Sequence, residues 1–237
     1  MRLDDPELVH REYADESRLA GRIAAYRFAE GPDAREMALA AVAEARPQRV
    51  LEVGCGRGEL AERLVREVGV ELLAVDLSER MIELTRARGV DARVADVQKL
   101  PFEDGQFDCA LAGWMLYHVP NLDQGLRELR RVLRPGGRLV ATTVMPHHLH
   151  EFAELLGGER PPPTFNGENG ADLLGRHFER VERRDAFGSI VFPSRVEAQA
   201  YVDSTIVFAW IGNGQLPDLE GPVRVTSAPV VFVAEAA

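Results

Sequence analysis

The stretch from Val50 to Leu60 constrains this chain most strongly, because an apolar segment runs directly into three glycines at alternate positions. Gly54, Gly56 and Gly58 separate that segment from a helical pattern, which predicts a strand, a tight turn and a helix. Glycines at such a turn adopt torsions closed to other residues and let a ligand approach the main chain without meeting a Cβ. The sequence therefore predicts a turn that binds a nucleotide cofactor.

The glycine spacing argues against two common nucleotide-binding motifs. The dinucleotide fingerprint G-x-G-x-x-G needs a glycine where this chain has Glu59. A phosphate-binding P-loop needs a lysine followed by Ser or Thr after the glycines, and the chain has neither there. The remaining pattern is E-x-G-x-G-x-G, which begins at Glu52.

This pattern resembles the first motif of class I S-adenosylmethionine-dependent methyltransferases of the small-molecule type, and the resemblance spans residues 48–145. It implies that a second buried strand, 72–75, ends at an acid, Asp76, that binds the ribose hydroxyls. An ionised carboxylate only accepts hydrogen bonds and can take both hydroxyl hydrogens. The alternative is that Asp76 caps the next helix, although Ser78 is better placed for that role.

A third strand, 92–95, leads to Asp96 and Val97. The resemblance implies that Asp96 accepts a hydrogen bond from the adenine amino group and that Val97 covers the ring face. The alternative is a solvated loop acid. Together, the cofactor-binding residues that the resemblance implies are Glu52, Gly54, Cys55, Gly56, Gly58, Asp76, Leu77, Met81, Asp96, Val97 and Gly113.

After a fourth strand, 107–112, comes a segment that in the family lies beneath the cofactor and faces the substrate. Its aromatic residues Trp114 and Tyr117, with Tyr26 from the N-terminal region, are therefore the candidate substrate-binding residues. If the acceptor is a hydroxyl, His118 is the first candidate catalytic base, because its ordinary pKa is near neutrality. The alternatives for His118 are an orienting hydrogen bond or a satisfied buried histidine.

Helix starts are indicated by polar residues before apolar periodic runs. Asn121 precedes a helix whose Leu122, Leu126, Leu129 and Leu133 share one face, and that helix is expected to close over 133–137. Capping-box patterns are formed by Asp33 with Glu36, before helix 34–45, and by Ser194 with Glu197.

Later strands are predicted at 138–144, within 181–192, and at 223–233. Pro229 interrupts the last of these, and a proline cannot donate to a sheet ladder. The final strand is therefore expected at a sheet edge or to carry a bulge.

The expected fold is a doubly wound, Rossmann-like α/β domain with a seven-stranded, mostly parallel sheet, a C-terminal antiparallel strand and a helical N-terminal cap. We expect one domain over residues 1–237, without internal repeats. Its parts are a helical cap or lid (1–46), the cofactor-binding core (47–145), a loop or lid insertion (146–178) and the strands and helix that complete the sheet (179–237). Ligands of such sheets bind at the carboxyl ends of the strands, near the switch in strand order.

Three histidines, His147, His148 and His150, follow the fifth strand. Adjacent histidines on a strand point to opposite sides, and only His147 and His150 would share a helix face, so a metal site is disfavoured. A substrate-facing polar loop and a solvated helix start remain open. The segment 157–170 reads as a mobile loop before a helix at 171–178, and such loops often act as lids.

Composition limits the classes of partner. The formal charge is −10, which argues against general attraction to nucleic acid. The chain has two cysteines, so no disulfide framework or zinc-ligand cluster is expected, and a reduced cytoplasmic protein is predicted. Neither a signal-peptide pattern nor a membrane-length apolar run is present.

The predicted activity is methyl transfer from S-adenosylmethionine to a small-molecule nucleophile, releasing S-adenosylhomocysteine. The segment Ala112 to Met115 lacks the Asn/Asp-Pro-Pro-aromatic motif of relatives that methylate adenine or glutamine amides, which argues against that chemistry. Two alternatives stay open: methylation of an RNA base, and a non-catalytic cofactor-binding partner protein. The acceptor, the methylated element and the oligomeric state are left undetermined.

Overall fold

A seven-stranded sheet is the centre of the computed structural model, which describes residues 4–13 and 16–237. The strands, in chain order, are β1 (Ala29–Glu30), β2 (Arg49–Val53), β3 (Glu71–Asp76), β4 (Asp91–Val94), β5 (Phe107–Gly113), β6 (Leu133–Val144), β7 (Arg180–Asp185), β8 (Gly188–Phe192), β9 (Val223–Ser227) and β10 (Pro229–Glu235). The α-helices are α1 (Pro6–Tyr13), α2 (Glu16–Ala25), α3 (Ala34–Glu44), α4 (Glu59–Arg63), α5 (Glu79–Ala87), α6 (Leu122–Val132), α7 (His150–Leu155), α8 (Gly170–Leu174), α9 (Arg195–Asp203) and α10 (Ile206–Ala209).

Strand order in this sheet is β4-β3-β2-β5-β6-β10-β7. The neighbours from β4 to β6 pair in parallel, whereas β10 pairs antiparallel with both β6 and β7. The chain builds outward from β2 in one direction and from β5 in the other, so the order switches between these two strands. The predicted fold class, including the C-terminal antiparallel strand, is confirmed.

Side chains of the central strands alternate between two buried clusters, one on each face of the sheet. Leu51 of β2 lies in the first cluster, with Leu129 of α6. Val50 of β2 lies in the second, with Val42 of α3. Burial on both faces anchors the parallel strands, and it fixes where their carboxyl ends meet.

The prediction for 223–233 was wrong in two respects. The segment forms two strands, β9 and β10, separated at Ala228, and β10 lies between two neighbours rather than at an edge. Pro229 is tolerated because it is the first residue of β10, where its carbonyl accepts a hydrogen bond from Ala186 N and no ladder donor is lost.

The prediction of one strand within 181–192 was also incomplete. β7 pairs with β10 in the large sheet, whereas β8 joins β1 and β9 in a separate three-stranded antiparallel sheet. Gly188 permits this, since a Cβ there would lie 2.0 Å from the carbonyl oxygen of Glu30 in β1. The small sheet belongs to a third buried cluster, which also contains Phe152 of α7 and Tyr201 of α9.

The predicted helix caps are formed, with one difference. Asp33 accepts from Arg35 N, Ser78 from Met81 N, Asn121 from Gln124 N and Ser194 from Val196 N. The Ser194 hydroxyl also donates a hydrogen bond to the Glu197 carboxylate. The Glu36 carboxylate, however, binds Arg63 at 2.6 Å instead of closing the box with Asp33. The helix after Asn121 ends at Val132, because Leu133 already pairs with Phe107 as the start of β6.

The two regions expected to act as lids contain more than the predicted elements. The described part of the N-terminal region contains α1, α2 and α3 and also β1, which pairs with β8. In the 157–170 segment, Phe165 is fully buried and Asn166 donates to the Pro163 carbonyl, so this part packs into the core. The helix that follows is shorter than predicted, since α8 covers Gly170–Leu174. Within the described ranges, no helix is long and apolar enough to cross a membrane.

Candidate functional site

One large cavity opens at the carboxyl ends of β2, β3 and β5, beside the switch in strand order. Its volume is about 1590 Å³. Sites for one small ligand usually measure about 300–1,000 Å³, so this cavity has room for a cofactor and a second molecule. Most of the predicted site residues line it: Glu52, Gly54, Cys55, Gly56, Asp76, Leu77, Asp96, Val97, Gly113, Trp114, Tyr117, His118 and Tyr26.

The glycine turn between β2 and α4 forms one wall of the cavity. Gly54, Gly56 and Gly58 have φ values of +65°, +52° and +74°, in the left-handed region that favours glycine. Gly58 does not line the cavity, because it packs against Thr85, and Met81 is buried behind the wall. For these two residues, the geometry supports roles in holding the turn rather than in contacting a ligand.

Asp76 ends β3 and braces the glycine turn. Its Oδ2 accepts a hydrogen bond from Gly56 N at 2.9 Å, and its Oδ1 accepts from Ser78 N at 2.9 Å. Burial raises the pKa of this carboxyl, against the lowering effect of its backbone hydrogen bonds. Since Ser78 caps α5, the side chain of Asp76 is left to face the cavity.

Glu52 lies in the same wall, and one of its carboxyl oxygens lacks a hydrogen bond from the described residues. The residue is 2% exposed, and its Oε2 is buried without a hydrogen-bond partner in the described part of the chain. Burial, and secondarily the negative charge of Asp76, raises the pKa of Glu52 to about 8. A buried carboxyl without a partner is costly unless a ligand supplies a donor. Glu52 therefore suits a bound ammonium group.

The remaining predicted cofactor residues differ in exposure. Asp96 lines the cavity and accepts hydrogen bonds from the backbone and side chain of Gln98, while Val97 beside it is buried. Leu77 is 62% exposed at the cavity edge. Cys55 is buried, with its Sγ 3.4 Å from Thr85 Oγ1, and burial raises its thiol pKa, which makes it inert.

Gly113 ends β5 and Trp114 follows it, and both residues line the cavity. Trp114 has φ +52°, a conformation that a bulky residue adopts only when its surroundings enforce it. Its backbone N–H donates to both the carbonyl and the hydroxyl of Thr142, which anchors the turn. The indole Nε1 is buried and has no hydrogen-bond partner within the described residues.

Tyr117 and His118 lie on a short 3₁₀ turn, Leu116–His118, and the His118 ring meets two tyrosines edge-on. The His118 Nε2 is 2.9 Å from the hydroxyl of Tyr13, which reaches it from α1. Tyr26 lines the same chamber, and the Arg35 guanidinium lies over its ring. Burial raises the pKa of Tyr117 to about 12, so its hydroxyl stays protonated.

The structure adds residues that the sequence did not single out as site residues. Tyr201 and Arg160 line the chamber from α9 and from the 157–170 segment, and Arg22 enters from α2. All four tyrosines of the chain consequently face one cavity. No local sequence pattern predicts this, because the four tyrosines lie on four different elements of the chain.

The three histidines after β6 do not form a metal site, and no cluster of metal-binding side chains occurs among the described residues. His148 is 4% exposed and lines the cavity, whereas His147 is exposed. The substrate-facing alternative therefore fits His148, and the solvated helix start fits His147 and His150. Neither cysteine is in a disulfide.

Comparisons of sequence and of structure relate this chain to methyltransferases. Residues 51–141 match a family model described as a methyltransferase domain. Methyltransferase GfsG of Streptomyces halstedii is 39% identical over 105 residues, covering 41% of this chain and 38% of that protein. Malonyl-[acyl-carrier protein] O-methyltransferase of Pseudescherichia vulneris is 36% identical over 119 residues, covering 49% of this chain and 47% of the relative. The matched part thus spans less than half of either relative.

A solved structure from Thermotoga maritima, described as an S-adenosylmethionine-dependent methyltransferase, superimposes with a TM-score of 0.63 at 21% identity. It covers 96% of this chain and 100% of the other, and it shows the shared fold. The matched segment, residues 51–141, resembles a methyltransferase domain, and the chain has the fold of the Thermotoga maritima structure.

Proposed function

We propose that this chain transfers a methyl group from S-adenosylmethionine to a nucleophilic atom of a small molecule. The observation that carries the proposal is one large cavity, into which the glycine turn, two strand-end acids and a tyrosine-rich chamber all open. A volume of about 1590 Å³ has room for both a donor and a small acceptor.

The cofactor fits the donor half of the cavity. Glu52 has a buried oxygen without a partner, which would accept from the ammonium group of the cofactor's methionine part. Asp76 would hold the ribose hydroxyls, and Asp96 the adenine amino group, with Val97 against the ring. When bound, S-adenosylmethionine supplies a methyl group that its sulfonium already makes electrophilic. The protein's own contribution is alignment, which can lower the barrier by several kcal/mol.

His118 is our proposed base for an acceptor that must lose a proton. Its Nε2 faces the Tyr13 hydroxyl at 2.9 Å, at the border between the donor half and the chamber. An acceptor hydroxyl could replace Tyr13 at this nitrogen, or Tyr13 could relay the proton. Tyr117 and Trp114 would pack against the acceptor, and Tyr26 would close the chamber from the N-terminal region.

The proposal is tested by following methyl label from S-adenosylmethionine into a cell extract separated into small-molecule, protein and RNA fractions. We expect label in the small-molecule fraction with the native protein, and at least about tenfold less with Asp76→Ala at limiting S-adenosylmethionine, because this variant keeps the chamber but weakens the donor site. Label confined to RNA or protein would contradict the small-molecule acceptor. Label that persists at the native level with Asp76→Ala would show that the cavity is not the donor site.

A further inference from the structure

The charged residues that line the cavity are unevenly distributed along the chain. In the described part of the chain, every acid that lines the cavity lies between residues 30 and 96. The lining residues after Asp96 supply positive and hydrogen-bond-donating groups but no carboxylate. The acidic lining residues are Glu30, Asp33, Glu36, Glu52, Glu59, Asp76, Glu79, Glu83 and Asp96.

The lining arginines between residues 30 and 96 are each paired with a carboxylate of the same segment. These ion pairs are Arg35 with Asp33 at 2.8 Å, Arg57 with Glu59 at 3.9 Å, Arg63 with Glu36 at 2.6 Å and Arg80 with Glu83 at 3.1 Å. Their charges are thereby balanced by the protein itself.

Arg160 in the chamber is different. Its Nη2 donates weakly to the Pro146 carbonyl at 3.4 Å, and its Nε is buried without any hydrogen-bond partner among the described residues. No carboxylate of the described chain pairs with it. Burial lowers the pKa of Arg160, which expresses the cost of a desolvated charge that lacks a counter-ion. A bound anion would supply that counter-ion.

Arg22 lies in the same chamber, where it donates to the Ser204 carbonyl at 3.2 Å. Tyr26, Tyr117 and Tyr201 lie near both guanidiniums, so Arg22 and Arg160 line the same end of the cavity. A guanidinium binds a carboxylate through two parallel hydrogen bonds in one plane, so a carboxylate is a suitable ligand for this end of the cavity.

His148 contributes a donor of fixed orientation. Its Nδ1 accepts the backbone N–H of Ala228 at 2.9 Å, so this nitrogen carries no proton. Burial, and the nearby Arg160, lower the pKa of His148 well below its usual range, so the ring is neutral. A neutral imidazole that accepts at Nδ1 carries its proton at Nε2, and His148 is therefore a donor and not a base.

We propose that the acceptor is a carboxylic acid with an apolar body, held through its carboxylate by Arg160, with Arg22 and His148 Nε2 at the same end of the chamber. The apolar body would lie against Leu149, Val207 and Phe208, which line this end. This inference rests on the proposed function and specifies the substrate class of that site. Charge-assisted hydrogen bonds of this kind contribute about 1.5–3 kcal/mol each, equivalent to roughly tenfold to a hundredfold in affinity.

The test is a two-stage calorimetric titration of the full chain. S-adenosylhomocysteine is titrated first, and the saturated protein then receives matched probes: 4-phenylbutanoate and octanoate, their primary amides, and 4-phenylbutylamine. We expect the acids to bind and the amides and amine to bind at least tenfold more weakly. Arg160→Gln should weaken acid binding about tenfold or more, whereas Arg160→Lys, which keeps the charge, should retain part of it. Arg180→Gln, at an exposed arginine of β7, is the matched control and should match the native protein.

Several results would overturn the inference. These are the absence of acid binding to saturated native protein, equal binding of acid and amide, and unchanged acid affinity in Arg160→Gln. If Arg160→Gln loses S-adenosylhomocysteine affinity as strongly as acid affinity, Arg160 holds the cofactor's own carboxylate, and the inference is equally wrong. Failure of the native protein to bind S-adenosylhomocysteine would instead contradict the proposed function. The acid titration would then be repeated on the protein alone, where loss of acid selectivity would overturn the inference separately.

Discussion

Glu52 illustrates how a single residue can couple protonation, stability and ligand binding. Burial raises the pKa of Glu52 to about 8, so the folded protein keeps a proton that the unfolded chain releases above its ordinary pKa of about 4.3. The free energy of unfolding therefore falls as the pH rises between these two values. A bound ammonium group would favour the ionised carboxylate and release the proton.

The variant Glu52→Gln tests this coupling. It has no proton to lose, so at pH 9 it should melt about 5 °C higher than the native protein, with little difference at pH 5. Its affinity for S-adenosylhomocysteine should nevertheless fall about tenfold, because the ammonium loses a charged acceptor. Scanning calorimetry at both pH values and titration at pH 7 check the two effects. Glu71→Gln, at an exposed acid of the adjacent β3, should show neither effect.

His118 yields a second residue-level prediction. If it removes a proton from the acceptor, His118→Ala should lower kcat about a hundredfold, whereas S-adenosylhomocysteine affinity stays near the native value. The measurement is steady-state turnover on the true substrate. Near-native kcat would eliminate the base role and leave His118 as a partner of Tyr13.

Among the site residues, those that belong to a local sequence motif are predictable from the sequence. Asp76 and Asp96 follow apolar strands, so their arrival at one sheet edge is predictable from neighbouring residues alone. Arg160, His148 and Tyr201 come together through tertiary packing of distant segments, and their own neighbours give no sign of it. Among the described residues, Arg160 has no carboxylate partner, and this follows from the folded chamber rather than from a linear pattern.

Among the elements, the glycine turn between β2 and α4 depends on backbone freedom and on close packing. Gly58 and Gly69 have nearly equal φ values, +74° and +77°, but a Cβ at Gly58 would lie 2.7 Å from Thr85 Oγ1, whereas nothing lies within 4 Å at Gly69. Comparison of the two alanine variants therefore separates backbone strain from steric overlap.

We expect Gly69→Ala to lower the free energy of unfolding by about 1–2 kcal/mol, from backbone strain alone. Gly58→Ala should lose a further amount of about 1–3 kcal/mol, from the clash with Thr85. Urea denaturation with constant m-values gives both numbers. Equal losses in the two variants would show that α5 yields to the added methyl group.

The elements that were assigned wrongly share one physical cause. Strand periodicity identifies β7, β8, β9 and β10 as extended, but it does not report which sheet each strand joins. Gly188 and Pro229 mark the points where the chain passes between the two sheets, and either residue also fits an ordinary bulge or edge. The partners become evident only from the close backbone approach of β8 to β1.

On the scale of the whole molecule, the donor and acceptor halves of the cavity rest on different cores. The large sheet presents Glu52 and Asp76, while the third cluster supports the chamber through Tyr201 and Phe208. Phe152 is the centre of that cluster, since its ring lies 5.5–5.7 Å from three aromatic rings, those of Phe192, Tyr201 and Phe208.

Phe152→Ala should lower the free energy of unfolding by about 3–5 kcal/mol, because the residue is fully buried. Under conditions where the variant is folded, its affinity for S-adenosylhomocysteine should stay within about threefold of the native value. Urea denaturation and calorimetry test the two parts. A parallel loss of cofactor affinity would show that the two halves are energetically one unit.

The most direct measurement is S-adenosylhomocysteine binding by calorimetry to cofactor-free native protein, Asp76→Ala and the control Asp91→Ala. Asp91 is an exposed acid at the opposite end of the neighbouring β4. We predict micromolar binding by the native protein and by Asp91→Ala, and at least about tenfold weaker binding by Asp76→Ala with its fold intact. Absence of binding by the native protein, or equal binding by all three, would contradict the assignment of this cavity as the donor site.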